Sequence, residues 1–198
     1  MKYLIFILSI FIFFTTSCQS YKPIFNGQDL SGWKIHGTEK WYVDNGELVC
    51  ESGPEKKYGY LSTDKKYKNF VLDLDFKLVA NGNSGVFIRS NVQGTTIQGW
   101  QVEVAPAGLH TGGIYESYGR EWLIKPGSEE EKKLNPNGWN HMRIDVRGDN
   151  VNTYLNGTKM VSLNDSKVGA GEGSIALQIH SGGGINVRWK NLRIKELR

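Results

Sequence analysis

Polar and apolar residues alternate with a period of two in several stretches of the chain. Leu72, Leu74, Phe76 and Leu78 are interleaved with Asp73, Asp75 and Lys77. Met142, Ile144 and Val146 are interleaved with Arg143, Asp145 and Arg147, and Ile175, Leu177 and Ile179 with Ala176, Gln178 and His180. Successive side chains of a strand point to opposite faces, so this pattern predicts half-buried strands. Turn-forming clusters punctuate them: Asp44-Asn45-Gly46, Asn81-Gly82-Asn83, Arg147-Gly148-Asp149-Asn150 and Asn156-Gly157. At most one or two short helices are expected, one of them at Ser128, where Glu131 three residues on completes a capping-box pattern. Many short strands at regular spacing predict an all-β sandwich or jelly roll of antiparallel sheets. No internal repeat or linker divides the chain.

The same alternation sorts side chains by face. If Val86 and Ile88 point into the core, Phe87 and Arg89 point out. In Trp100-Gln101-Val102-Glu103-Val104 the outward residues are Gln101 and Glu103, and in the strand ending at His180 they are Gln178 and His180. An Arg, a Glu, two Gln and a His on one sheet face would form a polar cleft. A solvated face of mixed charge is the other reading, and the pattern alone leaves both open.

Composition changes the picture mainly at the N-terminus. Lys2, the apolar run Tyr3 to Phe14 and the small residues Thr15-Thr16-Ser17 before Cys18 form an export signal over residues 1–17. The apolar run is short for a membrane span, which needs about 20 residues. The Cys after small residues resembles a bacterial lipobox, although its usual Leu is Thr15 here. The expectation is a lipid on Cys18, a tether over residues 18–22 and a domain over 23–198, anchored to a membrane of the bacterial cell envelope. Gln19 lacks the acidic character of an inner-membrane retention signal, which points to the outer membrane or cell surface. Cys50 then remains alone, so no internal disulfide supports the fold. It lies in an expected strand as a small packing residue. The net charge of +4, from 24 basic and 20 acidic residues without a basic run, argues against a nucleic-acid partner.

Motif chemistry is sparse. His36, His110, His141 and His180 show no metal-ligand spacing, and there is no phosphate-cradling glycine loop or nucleophile elbow. No cofactor is expected; a divalent ion held by one His and distant carboxylates stays open.

Longer segments are more specific. Phe25-Asn26-Gly27-Gln28-Asp29-Leu30-Ser31-Gly32-Trp33, residues 41–48, 82–89 and 99–104, Thr111-Gly112-Gly113-Ile114-Tyr115-Glu116, residues 139–141, 155–157 and 176–180, and Val187 to Ile194 occur in order. Together they resemble the 3-keto-disaccharide hydrolase domain family over residues 23–198. The resemblance implies a concanavalin A-like jelly roll and a part in cleaving glycosides whose glucose 3-hydroxyl is oxidised to a ketone. The family pattern often has an acidic residue two positions past the Glu of the Gln-x-Glu strand; Ala105 stands there in this chain.

A C3 ketone acidifies the C2 proton, and the glycosidic oxygen on C1 then lies beta to the resulting carbanion. One base and a stabiliser of the enediolate suffice for cleavage, with or without later addition of water. Ordinary glycoside hydrolysis instead needs two spaced carboxylates. Glu103 and His180 are the candidate bases and Arg89 the candidate stabiliser. Gln101, Gln178 and Tyr115 would orient hydroxyls, and Trp100 or Trp122 would stack on the sugar. A non-catalytic carbohydrate-binding module and a structural surface lipoprotein are the rival readings, since fold does not fix function.

Overall fold

The computed structural model describes residues 20–80 and 82–198. Cys18 and the expected export signal lie outside the described residues. Fifteen strands make up most of the described chain. They are β1 (Lys22–Pro23), β2 (Trp33–His36), β3 (Lys40–Asp44), β4 (Glu47–Glu51), β5 (Gly59–Tyr67), β6 (Phe70–Ala80), β7 (Ser84–Gln93) and β8 (Thr96–Val104). Then follow β9 (Ile114–Ser117), β10 (Glu121–Ile124), β11 (Asn140–Arg147), β12 (Asn150–Leu155), β13 (Thr158–Asn164), β14 (Gly173–Ile179) and β15 (Asn186–Glu196). Two one-turn helices, α1 (Ser128–Glu131) and α2 (Ser166–Gly169), complete the elements.

The strands form two antiparallel sheets, as the alternation predicts. One runs β13-β12-β11-β6-β15-β4-β3, with β1 also on β15; the other runs β10-β9-β8-β7-β14-β5-β2. Lys22 pairs with Ile194 and the Arg193 guanidinium lies 5.0 Å from the Tyr21 ring centre. The folded domain therefore takes in the last residues of the expected tether.

Residues from the inner faces of both sheets share one core. The first sheet contributes Leu72, Leu74, Phe76, Met142, Ile144 and Val146, and the second Val86, Ile88, Val102, Ile175, Leu177 and Ile179. All are fully buried, and burying each such side chain stabilises the fold by roughly 1.5–3 kcal/mol. Cys50 lies in this core, where burial pushes its thiol up to about 12, which suits a packing role and not a nucleophile. Asn45-Gly46 and Asn156-Gly157 close hairpins with both residues at positive φ, as tight two-residue turns require.

The helix at Ser128 forms but not by the expected cap. Gly127 is the cap residue and no side chain bonds there, because Glu131 is drawn off to His110 Nδ1 at 2.6 Å. The second helix is capped by Asp165, whose carboxylate accepts the Val168 N–H.

A cleft over the second sheet

The outer face of the second sheet carries one row of side chains that explains the site. Read across the register, Glu103 on β8 stands opposite Gly85 on β7. Gly85 in turn faces Gln178 on β14, and Gln178 faces Tyr60 on β5. With strands about 4.8 Å apart, Glu103 and Gln178 start roughly 9–10 Å from each other, separated by a residue without a side chain. A Cβ at Gly85 would come within 2.6 Å of the Gln101 side-chain amide. Gly85 therefore leaves the space that lets Gln101 lie across the sheet.

That amide forms the middle of a directional chain. Gln178 Nε2 donates to Gln101 Oε1 at 3.4 Å, and Gln101 Nε2 donates to Glu103 Oε2 at 2.7 Å and to the Ser84 carbonyl at 3.3 Å. Gln178 Oε1 ends the chain as a buried acceptor with no partner among the described residues. Glu103 is only 8% exposed and has no cation beside it among the described residues. Burial pushes its carboxyl up to about 8, against a weaker downward pull from Gln101. The group therefore holds a proton at neutral pH.

His180 stands just beyond β14, its N–H on the Asn83 carbonyl. Its ring nitrogens are distinguished by their neighbours. Nδ1 lies 2.9 Å from the Ser181 carbonyl, which can only accept, so Nδ1 carries the proton. Nε2 presents a lone pair, and Tyr58 donates its hydroxyl proton to it at 2.9 Å. Tyr58 belongs to a loop held from below by buried Glu39, whose carboxylate accepts the Gly53 and Lys57 N–H groups.

These residues line a cleft of about 450 Å³, within the range of about 300–1,000 Å³ usual for small-molecule sites. Tyr115 and Trp122 form its far wall, rings edge-to-face at 5.5 Å, and His110 packs on Trp122 at 5.2 Å. Gln101, Glu103, Tyr115, Trp122, Gln178 and His180, all proposed from sequence, are thus brought together. Among the described residues no group of three His, Cys, Asp or Glu side chains is placed to hold a metal ion.

Two sequence candidates are not in this cleft. Arg89 follows a bulge that breaks the β7–β8 register after Ile88, and its own φ is +48°. The bulge ends the simple alternation, and the guanidinium turns to the Lys68 carbonyl (2.7 Å), the Gly148 carbonyl (3.1 Å), the Val168 carbonyl and Asn69 Oδ1 (3.1 Å). It is a structural clamp, neither a stabiliser over the substrate nor a partner of Glu103. Trp100 alternates with Gln101 and so falls on the core face, 8% exposed. Sequence reasoning missed Tyr58, Tyr60, Asn83, His110 and Tyr118, which also line the cleft. For Tyr60 a signal existed, since Leu61 beside it is a core residue.

Residues 20–195 match the model of the 3-keto-alpha-glucoside-1,2-lyase-like domain family. The chain belongs to this family. A 76-residue stretch is 33% identical to the 3-keto-disaccharide hydrolase of Bacteroides thetaiotaomicron, covering 34% of this chain and 26% of that protein. The match thus spans about a quarter of the relative's length. Among solved structures, a proposed glycosyl hydrolase of Parabacteroides distasonis is similar at 25% identity and a TM-score of 0.66, over 90% of this chain and 94% of that one. The carbohydrate-binding module CBM66 of Bacillus subtilis shares the fold at 14% identity and a TM-score of 0.65, over 83% and 96% of the two chains. The domain therefore shares its sandwich fold with that proposed glycosyl hydrolase and with a carbohydrate-binding module.

Proposed function

We propose that the protein cleaves 3-keto-glycosides by removing the C2 proton and expelling the C1 substituent. The observation that carries this reading is that one cleft is lined by a protonated, desolvated Glu103 on β8 and by a His180 just beyond β14 whose Nε2 is a base. His180 Nε2 takes the C2 proton once the substrate displaces the Tyr58 hydroxyl. The C–H electron pair becomes the C2=C3 bond of an enediolate, and charge gathers on the C3 oxygen. The freed Tyr58 hydroxyl donates to that oxygen. Collapse of the enediolate restores the C3 ketone, moves the C2=C3 pair to C1=C2 and breaks the C1–O bond, while Glu103 gives its proton to the departing oxygen. Proton return from His180 to Glu103 resets the site. Gln178 Oε1 accepts from a sugar hydroxyl, and Trp122 with Tyr115 walls the ring. Addition of water to the unsaturated product would make the outcome a net hydrolysis.

The test is release of the aglycone from 3-keto-glucosides by the purified domain. Release from the keto sugars but not from unmodified glycosides is expected, with His180→Ala slowing it ~10²–10⁴-fold. Glycan binding without any turnover, undiminished in that variant, would instead establish the carbohydrate-binding reading that the shared sandwich with CBM66 supports. We further propose that the protein is an envelope lipoprotein, on the strength of the sequence before Cys18. Labelled palmitate should enter the full chain in a bacterial host and be lost in Cys18→Ser; equal labelling of both would refute the anchor.

A further inference from the structure

We propose that Gln101 is a positioning residue: it occupies one oxygen of the Glu103 carboxyl and so keeps the transferable proton on the other, which faces the cleft. The inference rests on the glycoside reading above, in which Glu103 is the proton donor.

Gln101 and Glu103 are two apart on β8, so both side chains rise from the same face of the sheet. The flanking strands bring nothing else to the acid. Gly85 stands opposite Glu103 on β7, and on the other flank the Glu103 N–H donates to the Gly113 carbonyl at 3.0 Å. A Cβ on Gly113 would come within 3.0 Å of the Trp122 ring, as one on Gly85 would strike Gln101. Both neighbours of Glu103 are therefore bare, and among the described residues its hydrogen-bond partner is Gln101.

The orientation of Gln101 is fixed from outside the pair. The Ser84 carbonyl can only accept, so the Gln101 atom 3.3 Å from it is the amide nitrogen. The second hydrogen on that nitrogen is aimed at Glu103 Oε2, 2.7 Å away. Oε2 is then the accepting carbonyl oxygen of the neutral carboxyl, and the hydroxyl is Oε1. Oε1 bonds to no described residue and is not one of the buried unpartnered atoms, so it opens on the cleft. The same anchor sets Gln178. Gln101 Oε1 accepts the Gln178 amide at 3.4 Å, which turns Gln178 Oε1 out as an unpartnered acceptor. Both amide hydrogens of Gln101 are thus engaged inside the protein, so it acts on the sugar through Glu103 and Gln178.

During elimination the Oε1–H bond breaks, the hydrogen bonds covalently to the departing oxygen, and the electron pair stays on Glu103. The Gln101 N–H then faces a carboxylate, and a charge-assisted hydrogen bond is roughly twice as strong as a neutral one. Gln101 therefore both aims the proton and favours its release. The other titratable groups of the cleft are His110, His180, Tyr58, Tyr60, Tyr115 and Tyr118. Among the described residues none of them bonds to Glu103, and no Lys or Arg lines the cleft.

The test is the pH profile of methanol release from methyl 3-keto-glucoside by wild type and Gln101→Met, which keeps the length of Gln without its amide. The rate should fall about ten- to a hundredfold. The alkaline limb should also move above its wild-type place near pH 8, because the acid loses the bond that favours its ionised form. A loss equal at every pH with the limb in place, or no loss at all, overturns the proposal. A second measurement needs neither substrate nor a folded variant. In ¹⁵N-labelled wild type, NMR follows the two Gln101 amide protons as Glu103 ionises. The proton aimed at Glu103 should move downfield while its partner on Ser84 holds still. Both moving alike, or neither moving, overturns the proposal. Wild type that shows the selective shift but leaves 3-keto-glucosides intact refutes the proposed reaction and upholds the placement of the proton by Gln101.

Discussion

The two sheets present outer faces built from similar residue types and treat them in opposite ways. On the first sheet, Asp73 is fully buried yet bonded bidentately by Arg143 at 2.7 and 3.2 Å and by Arg193 at 3.3 Å. Asp75 bonds His141 and Asn191, Arg147 bonds Asp145, and Arg188 bonds Asp44 and Glu47. On the second sheet, among the described residues, Glu103 has only an amide for a partner and Gln178 Oε1 has none. Burial alone does not distinguish Asp73 from Glu103; the partner does. Burial pushes the Asp73 carboxyl up, but Arg143 and its neighbours more than offset this and hold it below the usual range, whereas Glu103 is left raised. A protein meets the cost of a buried acid with a cation when the acid is structural. An acid whose cost is left unmet is what the proposed proton donor requires.

The largest effect expected from this contrast is at Glu103. Glu103→Gln keeps the shape and the hydrogen bond but removes the transferable proton, so aglycone release should fall on the order of 10³-fold. In wild type, activity should decline as pH rises through about 8, where Glu103 ionises. Stability should fall with rising pH as well, but from a lower pH onward. The unfolded carboxyl ionises near 4.5 and the folded one near 8, so the folded state binds more protons between these values. Wild-type stability therefore falls with pH across that window relative to Glu103→Gln, then levels off. Urea melts of both proteins from pH 4 to 9 measure the divergence, expected to reach a few kcal/mol. Parallel stability curves would mean that Glu103 is already ionised or solvated.

The contrast also explains how far the sequence could be read. Period-two alternation tells which residues leave the core, and that placed Gln101, Glu103, Gln178 and His180 on one face. Alternation holds only while the strand is regular. At Arg89 a bulge and a positive φ break it, and the residue leaves the face it was assigned to. Trp100 was a different failure, because its own neighbour Gln101 already assigned it to the core. Tyr58 and Tyr118 reach the cleft from loops, whose paths depend on Glu39 and on the Glu116–Arg120–Asp165 contacts, far apart in sequence. The alternation also says nothing about whether an outward charge finds a partner. The mixed-charge solvated face anticipated as the alternative does exist, but on the first sheet.

Arg89 offers the next largest effect and a way to break the comparison, since it is a buried cation on the site's own sheet. Its guanidinium serves three carbonyls and one amide, and none of these acceptors lines the cleft. Arg89→Met leaves those acceptors short of donors and should cost about 3 kcal/mol of stability. Cleavage per folded molecule should stay within a few-fold of wild type at a temperature where both are folded. Loss of several hundredfold in kcat/KM without loss of stability would return Arg89 to the chemistry and undo the clamp.

The smallest effect sharpens the comparison by its sign. Asp73→Asn keeps the volume but weakens the bonds from Arg143 and Arg193, whose side chains are about half exposed, so the cost should be about 1–2 kcal/mol. The Asp73 carboxyl titrates below its ordinary value of 3.8 when folded, so the unfolded state binds more protons as pH falls. Its contribution is present above about pH 4 and is lost below it. The deficit of Asp73→Asn against wild type should therefore shrink on acidification, while the advantage of Glu103→Gln grows as pH rises toward 8. Two buried acids on opposite sheets would then give limbs at opposite ends of one pH profile, each removed by its own amide. An Asp73→Asn deficit that persists unchanged at pH 3 would show that packing at this position, and not the ion pairs, carries its stability.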